Sequence, residues 1–221
     1  MLAAVRRMAS ALWLRRSRRS RRFKRGRVDM KATLSQAVRT DATPLRLVRR
    51  HRRLKRARLL LLLDVSGSMR DSAPFVLALA DGMREAFVSV GAFAFVDHPV
   101  ALRTDVPPVG ELNWMSQSDY GNTFYKMVTE HERLLRKDVL VVVMGDARNN
   151  FSDPMVWALA EMRGRVGALL WLNPEARPRW NTGDSIVGTY APWCDRVLRC
   201  ATAADLKRAA EAMLTRAARW R

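Results

Sequence analysis

The stretch Leu59–Met69, LLLLLDVSGSM, decides the fold. Five consecutive leucines run straight into an aspartate, two serines and a glycine. A short, wholly apolar run fits a strand buried on both faces, as in a parallel sheet. The polar cluster then falls at the strand's C-terminal end, where open α/β sheets place their ligands. Asp64, Ser66 and Ser68 are spaced D-x-S-x-S. One carboxylate and two hydroxyls on a tight turn are hard oxygen donors, with no sulfur or imidazole among them. Such a set suits Mg²⁺, with Mn²⁺ or Ca²⁺ as alternatives, rather than zinc.

Working outward, alternating strand and helix patterns follow. Leu59–Asp64 is read as the first strand and Asp71–Val88 as a helix, with Ser72 as N-cap and Phe75, Leu79, Met83 and Phe87 on one face. Val90–Val96 and Val100–Arg103, joined by the turn at Asp97-His98-Pro99, predict a hairpin with an antiparallel edge strand. A loop over Thr104–Asp119 leads to a helix over Tyr120–Arg136. Val139–Met144 is a second continuous apolar strand, followed by a helix over Pro154–Arg163, a strand over Val166–Leu172, and a long loop. A short strand, Arg196–Cys200, and a helix, Thr202–Trp220, opened by the capping-box spacing of Thr202 and Asp205, close the chain. This order predicts a doubly wound, mostly parallel α/β sheet flanked by helices, with one antiparallel edge strand. No G-x-G-x-x-G follows a strand and no Walker A sequence is present, so nucleotide binding has no support.

Charge divides the chain sharply. Of 40 Lys and Arg, 21 fall in residues 1–58 against two acids, Asp29 and Asp41; residues 59–221 are neutral. The expected organisation is a basic, flexible arm over 1–27, a basic lead-in over 28–58, and one domain over 59–221. Arg15–Arg27 holds nine basic residues in thirteen, interrupted by a single aromatic, Phe23. That gives little support for stacking on nucleic-acid bases. Association with nucleic acid or an anionic surface through this arm is the alternative to the reading developed below. No apolar run reaches the length of a transmembrane helix. The N-terminal stretch has no secretory pattern, although its Arg-rich, acid-free composition superficially resembles a mitochondrial presequence. Cys194 and Cys200 form neither a disulfide framework nor a zinc pattern, and read as reduced thiols of a cytoplasmic protein.

Two further loops at strand ends carry oxygen donors: Ser118-Asp119-Tyr120-Gly121-Asn122-Thr123-Phe124, and Asp146 directly after the strand Val139–Met144. In a doubly wound sheet they converge on Asp64, from which Asp146 is 82 residues distant. D-x-S-x-S after a leucine-rich strand, a hydroxyl loop and a strand ending in Asp together resemble a von Willebrand factor A (vWA) domain with its metal-ion-dependent adhesion site. The family's middle loop usually opens on Thr. Aligning Gly121, Thr123 and Phe124 puts Ser118 there, with Thr123 as the competing hydroxyl. The family's last loop usually reads Asp-Gly; here it reads Asp146-Ala147.

Gly26-Arg27-x-Asp29 with Thr33-Leu34, the basic run into LLLDVSGSM, SDYG, GDARNN and Trp171–Pro174 narrow the resemblance to the bacterial CoxE-like subfamily. Relatives usually carry a longer helical region upstream, so this chain reads as a shortened member or one with a misassigned start. The resemblance implies that Ser66, Ser68 and Ser118 bind the metal directly while Asp64 and Asp146 hold its waters. It also implies that an acidic residue of a protein partner completes the site. It further implies a MoxR-type AAA+ ATPase as partner, in chaperone-like maturation or metal-cofactor insertion of a client such as a CO dehydrogenase-type molybdenum hydroxylase. No enzymatic activity is expected: no histidine or third carboxylate is placed to activate water, and Ser66 does not lie in G-x-S-x-G.

Overall fold

The computed structural model describes residues 20–23, 27–28, 30, 33, 49–52, 58–72, 90–102, 112, 116–202 and 204–205. The chain divides into two compact units, one over Trp13–Lys55 and one comprising Met1–Leu12 with Arg56–Arg221.

In the smaller unit, β1 (Ser20–Phe23), β2 (Arg27–Val28) and β3 (Arg49–Arg52) form an antiparallel sheet in the order β1-β3-β2. Its register sets Arg22, Arg50 and Arg27 abreast.

In the larger unit, β4 (Arg58–Asp64), β5 (Val90–Phe95), β6 (Pro99–Ala101), β7 (Val139–Met144), β8 (Ala168–Asn173) and β9 (Arg196–Arg199) form one sheet. The order is β6-β5-β4-β7-β8-β9. Every pairing is parallel except β5 with β6, so the expected doubly wound sheet and its antiparallel edge strand are present. Among the described residues the helices with defined bounds are α1 (Tyr120–Thr129), α2 (Val156–Arg165) and the single turn α3 (Val187–Tyr190).

The leucine run is central because it can be. Leu59–Leu63 are all buried, and alternate side chains enter opposite faces of the sheet. Leu60 and Leu62 join Phe93, Phe95, Val141, Val143, Leu169 and Trp171 in a core that also holds Phe124 and Met127 of α1 and Leu159 and Met162 of α2. Within it Trp171 stacks against both Tyr120 and Tyr190, each with ring centroids 5.3 Å from it, and the two tyrosine rings lie 6.2 Å apart, so the three form a triangular cluster.

From β4 the chain passes to β5 on one side, and it later returns to β7 on the other. The winding direction therefore reverses at β4 and β7, and the crevice of an open α/β sheet forms at such a reversal, outside the carboxyl ends of the strands. Leu63 is in register with Met144, which brings Asp64 beside Gly145. The two strands singled out by their apolar runs thus deliver their aspartates to one crevice.

Several element boundaries differ from expectation. α1 ends at Thr129, not Arg136; Glu132–Leu134 is a separate 3-10 turn. The apolar spacing continues to Leu135, but Glu130 and Glu132 stand at the negative end of the helix dipole, where acids are unfavourable. α2 starts at Val156, because Asp153 accepts the Met155 N–H at 2.9 Å and Met155 adopts φ +40°. β6 begins at Pro99, one residue before the expected strand, and β8 at Ala168, two residues after its expected start. The expected helix over Asp71–Val88 falls largely outside the described residues, as does most of that over Thr202–Trp220. The capping box that opens the latter is formed: the Thr202 N–H donates to Asp205 at 3.0 Å, and the Asp205 N–H to the Thr202 hydroxyl at 3.2 Å. Cys194 and Cys200 are unpaired thiols, each pushed up to about 12 by burial, and so poorly nucleophilic at neutral pH. No helix among the described residues is long and apolar enough to cross a membrane.

Candidate metal site

Asp64, the last residue of β4, is fully buried. One of its oxygens accepts the Ser66 N–H at 2.8 Å, closing the turn that follows. The other accepts the Tyr120 hydroxyl at 2.5 Å. The turn is held again by the Met69 N–H on the Ser66 carbonyl, at 3.0 Å. It sets the Ser66 and Ser68 hydroxyls 3.3 Å apart, Ser66 buried and Ser68 open to solvent.

Ser118 is buried in the loop before α1. Its carbonyl accepts the Asn150 side chain at 3.0 Å, and its hydroxyl has no hydrogen-bond partner among the described residues. Asp119 caps α1 by accepting the Asn122 N–H at 2.8 Å. Thr123, the competing hydroxyl, donates to the Asp119 carbonyl at 2.9 Å and is fully buried within the first helical turn. Its proton is committed to the helix, whereas the Ser118 hydroxyl is uncommitted.

Asp146 lies just beyond β7, also buried. It accepts the Arg148 N–H at 3.0 Å, and the Arg148 guanidinium stands 3.8 Å from its other oxygen. That guanidinium is anchored elsewhere, by Glu175 at 2.9 Å and Asp184 at 2.7 Å, and the two acids hold it more firmly protonated. The Asp146 carbonyl accepts the Asn173 side chain and the Ser185 hydroxyl, both at 3.1 Å.

Two small residues shape this loop. A Cβ on Gly145 would collide with the Tyr120 hydroxyl and lie 2.9 Å from the Cβ of Asp64. Only glycine lets β7 pass this close to the carboxylate. Ala147 adopts φ +63°, the left-handed region that glycine enters freely. The departure from Asp-Gly therefore changes the residue and keeps a glycine-like backbone.

Tyr120 joins all three loops. Its hydroxyl donates to Asp64 and accepts the Ala147 N–H at 3.1 Å, while its own N–H donates to the Asn149 side chain at 2.8 Å. Burial and the two aspartates raise its phenol well above the usual range, so it remains a donor. Burial, then the charge of Asp146, push Asp64 up to about 7 against the opposing hydrogen bonds of Tyr120 and Ser66. Asp64 and Asp146 thus face one another, with the Ser66 and Ser68 hydroxyls on the adjoining turn and Ser118 tied to the β7 loop through Asn150; among the described residues the side-chain partner of Asp64 is a neutral phenol rather than a cation.

Among the described residues no group of three or more His, Cys, Asp or Glu could hold a metal. The donor set is instead two aspartates with serine hydroxyls. Two buried carboxylates, two serine hydroxyls on the turn after Asp64 and a Ser118 hydroxyl without a partner among the described residues are hard oxygen donors of the kind a divalent cation takes. Tyr120, Arg148, Asn149, Asn150 and Asn173 carry no signal in local spacing, although SDYG, GDARNN and the Trp171–Pro174 stretch contain them.

The family model described as "VWA domain containing CoxE-like protein" matches residues 1–209. The chain belongs to the CoxE-like vWA family. Among solved structures, proximal thread matrix protein 1 from the mussel byssus is 14% identical with a TM-score of 0.51, covering 72% of this chain and 47% of that one. A von Willebrand factor type A protein from Catenulispora acidiphila is 13% identical with a TM-score of 0.49, covering 74% and 43% respectively. The CoxE-like chain thus spans less than half the length of either, and the mussel protein supports a shared fold alone. No curated protein matches.

Proposed function

We propose that this CoxE-like protein is a non-enzymatic interaction module that captures partners through a divalent cation, Mg²⁺ foremost. The observation that carries the reading is Asp64: a fully buried carboxylate facing a second one, stabilised by a phenol and an amide but, among the described residues, by no cation of its own. Ser66, Ser68 and Ser118 would hold the ion directly, with Asp64 and Asp146 accepting from its waters. Neutral hydroxyl ligands leave a divalent ion electrophilic, and that electrophilicity is what it would supply toward a partner's Glu or Asp. The protein's own residues fix the three loops and exclude bulk water. Membership of the CoxE-like family supports a MoxR-type AAA+ ATPase as partner, in maturation of a client metalloenzyme such as a CO dehydrogenase-type molybdenum hydroxylase.

The test is Mg²⁺ titration calorimetry on the full chain. Ser66→Ala and Asp64→Ala should abolish binding while leaving the far-ultraviolet circular dichroism unchanged. Ser118→Ala should weaken it at least tenfold, and Thr123→Ala should leave affinity intact. Unaltered binding in Asp64→Ala would reject the site.

A further inference from the structure

Phe151 is the most exposed large apolar side chain among the described residues, at 89%. It belongs to neither apolar cluster of the core. Its backbone is left-handed, φ +59°, directly after Asn150 at φ +48°. For a bulky residue this conformation is a true outlier, which its surroundings must impose. Solvent-facing residues under no other constraint settle into ordinary turns, so a strained backbone that ends in an exposed aromatic calls for an explanation.

The surroundings that impose it belong to the metal site. Asn149 accepts the Tyr120 N–H through its side chain and donates to the Ser152 carbonyl at 2.7 Å. The Ser152 N–H returns to the Asn149 carbonyl at 2.9 Å, closing a tight turn with Phe151 at its tip. Asn150 reaches across to the carbonyl of Ser118. Consecutive asparagines thus fasten the turn to the loop that carries one candidate metal ligand, and Asp146, another, lies five residues earlier on the same loop. The backbone that carries the ring is thereby pinned to the loop of Ser118, while the ring itself stands in solvent. A backbone already pinned has less freedom to lose when the ring is covered.

We infer that Phe151 is the apolar anchor of the metal-dependent interface, and that the occupant is a protein segment presenting a carboxylate beside an apolar recess that takes the ring. This rests on the metal-site reading and specifies the partner that the site selects. The rim is continuous with the site through Asn150 and Ser118, so one segment can bring a carboxylate to the crevice and an apolar recess to the ring. A small free carboxylic acid would leave the ring in water. A partner that satisfies both features gains the discrimination that neither gives alone, because a buried aromatic anchor and a charge-directed contact fail independently.

The experiment pans a phage-displayed random peptide library on the full chain in Mg²⁺ and elutes with EDTA. Enriched peptides should carry an acidic residue within a few positions of apolar ones. Binding of these synthetic peptides to Phe151→Asn, which keeps a residue at ease in left-handed backbone, should be about tenfold weaker, while Mg²⁺ calorimetry is unchanged. Phe151→Leu should restore most of the loss. Equal binding to the wild type and Phe151→Asn, or enrichment of acidic peptides without apolar neighbours, overturns the anchor and leaves the metal site standing. Loss of Phe151→Asn binding to phosphatidylserine vesicles, with peptide binding intact, assigns the ring to a lipid surface and overturns it too. Absence of Mg²⁺ binding by the wild type overturns both.

Discussion

The loop after β4 and the loop after β7 each bring one buried aspartate to the same crevice, and they keep it there by opposite means. Asp64 is held by neutral donors, the Tyr120 hydroxyl and the Ser66 amide, within a turn that closes on itself. Asp146 has an arginine at 3.8 Å, and that arginine is tied to Glu175 and Asp184, 27 and 36 residues further along the chain. The first carboxylate is pushed up to about 7 by burial and its neighbour, whereas the second shares a partial counter-charge. One half of the site therefore depends on protonation or a bound cation for neutrality. The other is built on a permanent ion-pair network. The contrast separates a carboxylate without a counter-charge of its own among the described residues from one framed by an ion-pair network.

Removing the frame should have the largest effect. In Arg148→Ala, Glu175 and Asp184 lose their shared cation, and one Glu175 oxygen already has no hydrogen-bond partner in a buried position. Stranding partly buried charges in this way should cost about 3 kcal/mol of unfolding free energy in urea titrations. A loss below roughly 0.5 kcal/mol, the size typical of an exposed pair, would erase the distinction between the loops.

Next in size is the response of Asp64 to pH. Its folded value, about 7, lies above the ordinary aspartate value of 3.8. Below both values the folded and unfolded states are equally protonated. Between them the unfolded chain ionises while the folded one keeps its proton, so this residue withdraws stability as pH rises and withdraws no more above about 7. For the metal-free protein the slope should be about 1 kcal/mol per pH unit between pH 5 and 7, visible as a difference from Asp64→Asn. Saturating Mg²⁺ should flatten it, because binding the ion releases the proton. Parallel stability profiles for the two proteins would show that Asp64 is not charged against its surroundings.

The smallest effect sharpens the comparison, because Tyr120 touches both loops. Tyr120→Phe keeps the ring between Phe95 and Trp171 but removes the hydroxyl shared by Asp64 and the Ala147 amide. Mg²⁺ affinity in calorimetry should fall about 10–100-fold, the usual consequence of losing a group that orients a ligand. A drop in melting temperature with unchanged affinity would reduce Tyr120 to a packing residue.

How much of this was legible in the sequence follows from the range of each interaction. The leucines of β4 and the apolar run of β7 declare buried parallel strands within a few residues, and their terminal aspartates follow. Ser66 and Ser68 are legible because their turn is local. Tyr120 is not, since its role depends on Asp64, 56 residues away, and on the missing Cβ of Gly145. The pairing of Arg148 with Glu175 and Asp184 is equally invisible to periodicity. α1 shows the reverse error: the apolar repeat ran on past Thr129 into a segment where dipole and charge end the helix. Positive φ at Asn150 fits a residue known to tolerate it; at Phe151 no rule of composition would place it.

Gly145 sets a limit on how such a site can diversify. The candidate hydroxyl donors Ser66, Ser68 and Ser118 would each keep an oxygen as threonine, and position 147 holds alanine in a backbone conformation that glycine enters freely. Position 145 has no such latitude, because any side chain there meets the Tyr120 hydroxyl and the flank of Asp64. Its neighbours can change the chemistry of the crevice by single substitutions, while the close approach of β7 to Asp64 does not survive one. That approach is kept by a residue that contributes no side chain of its own.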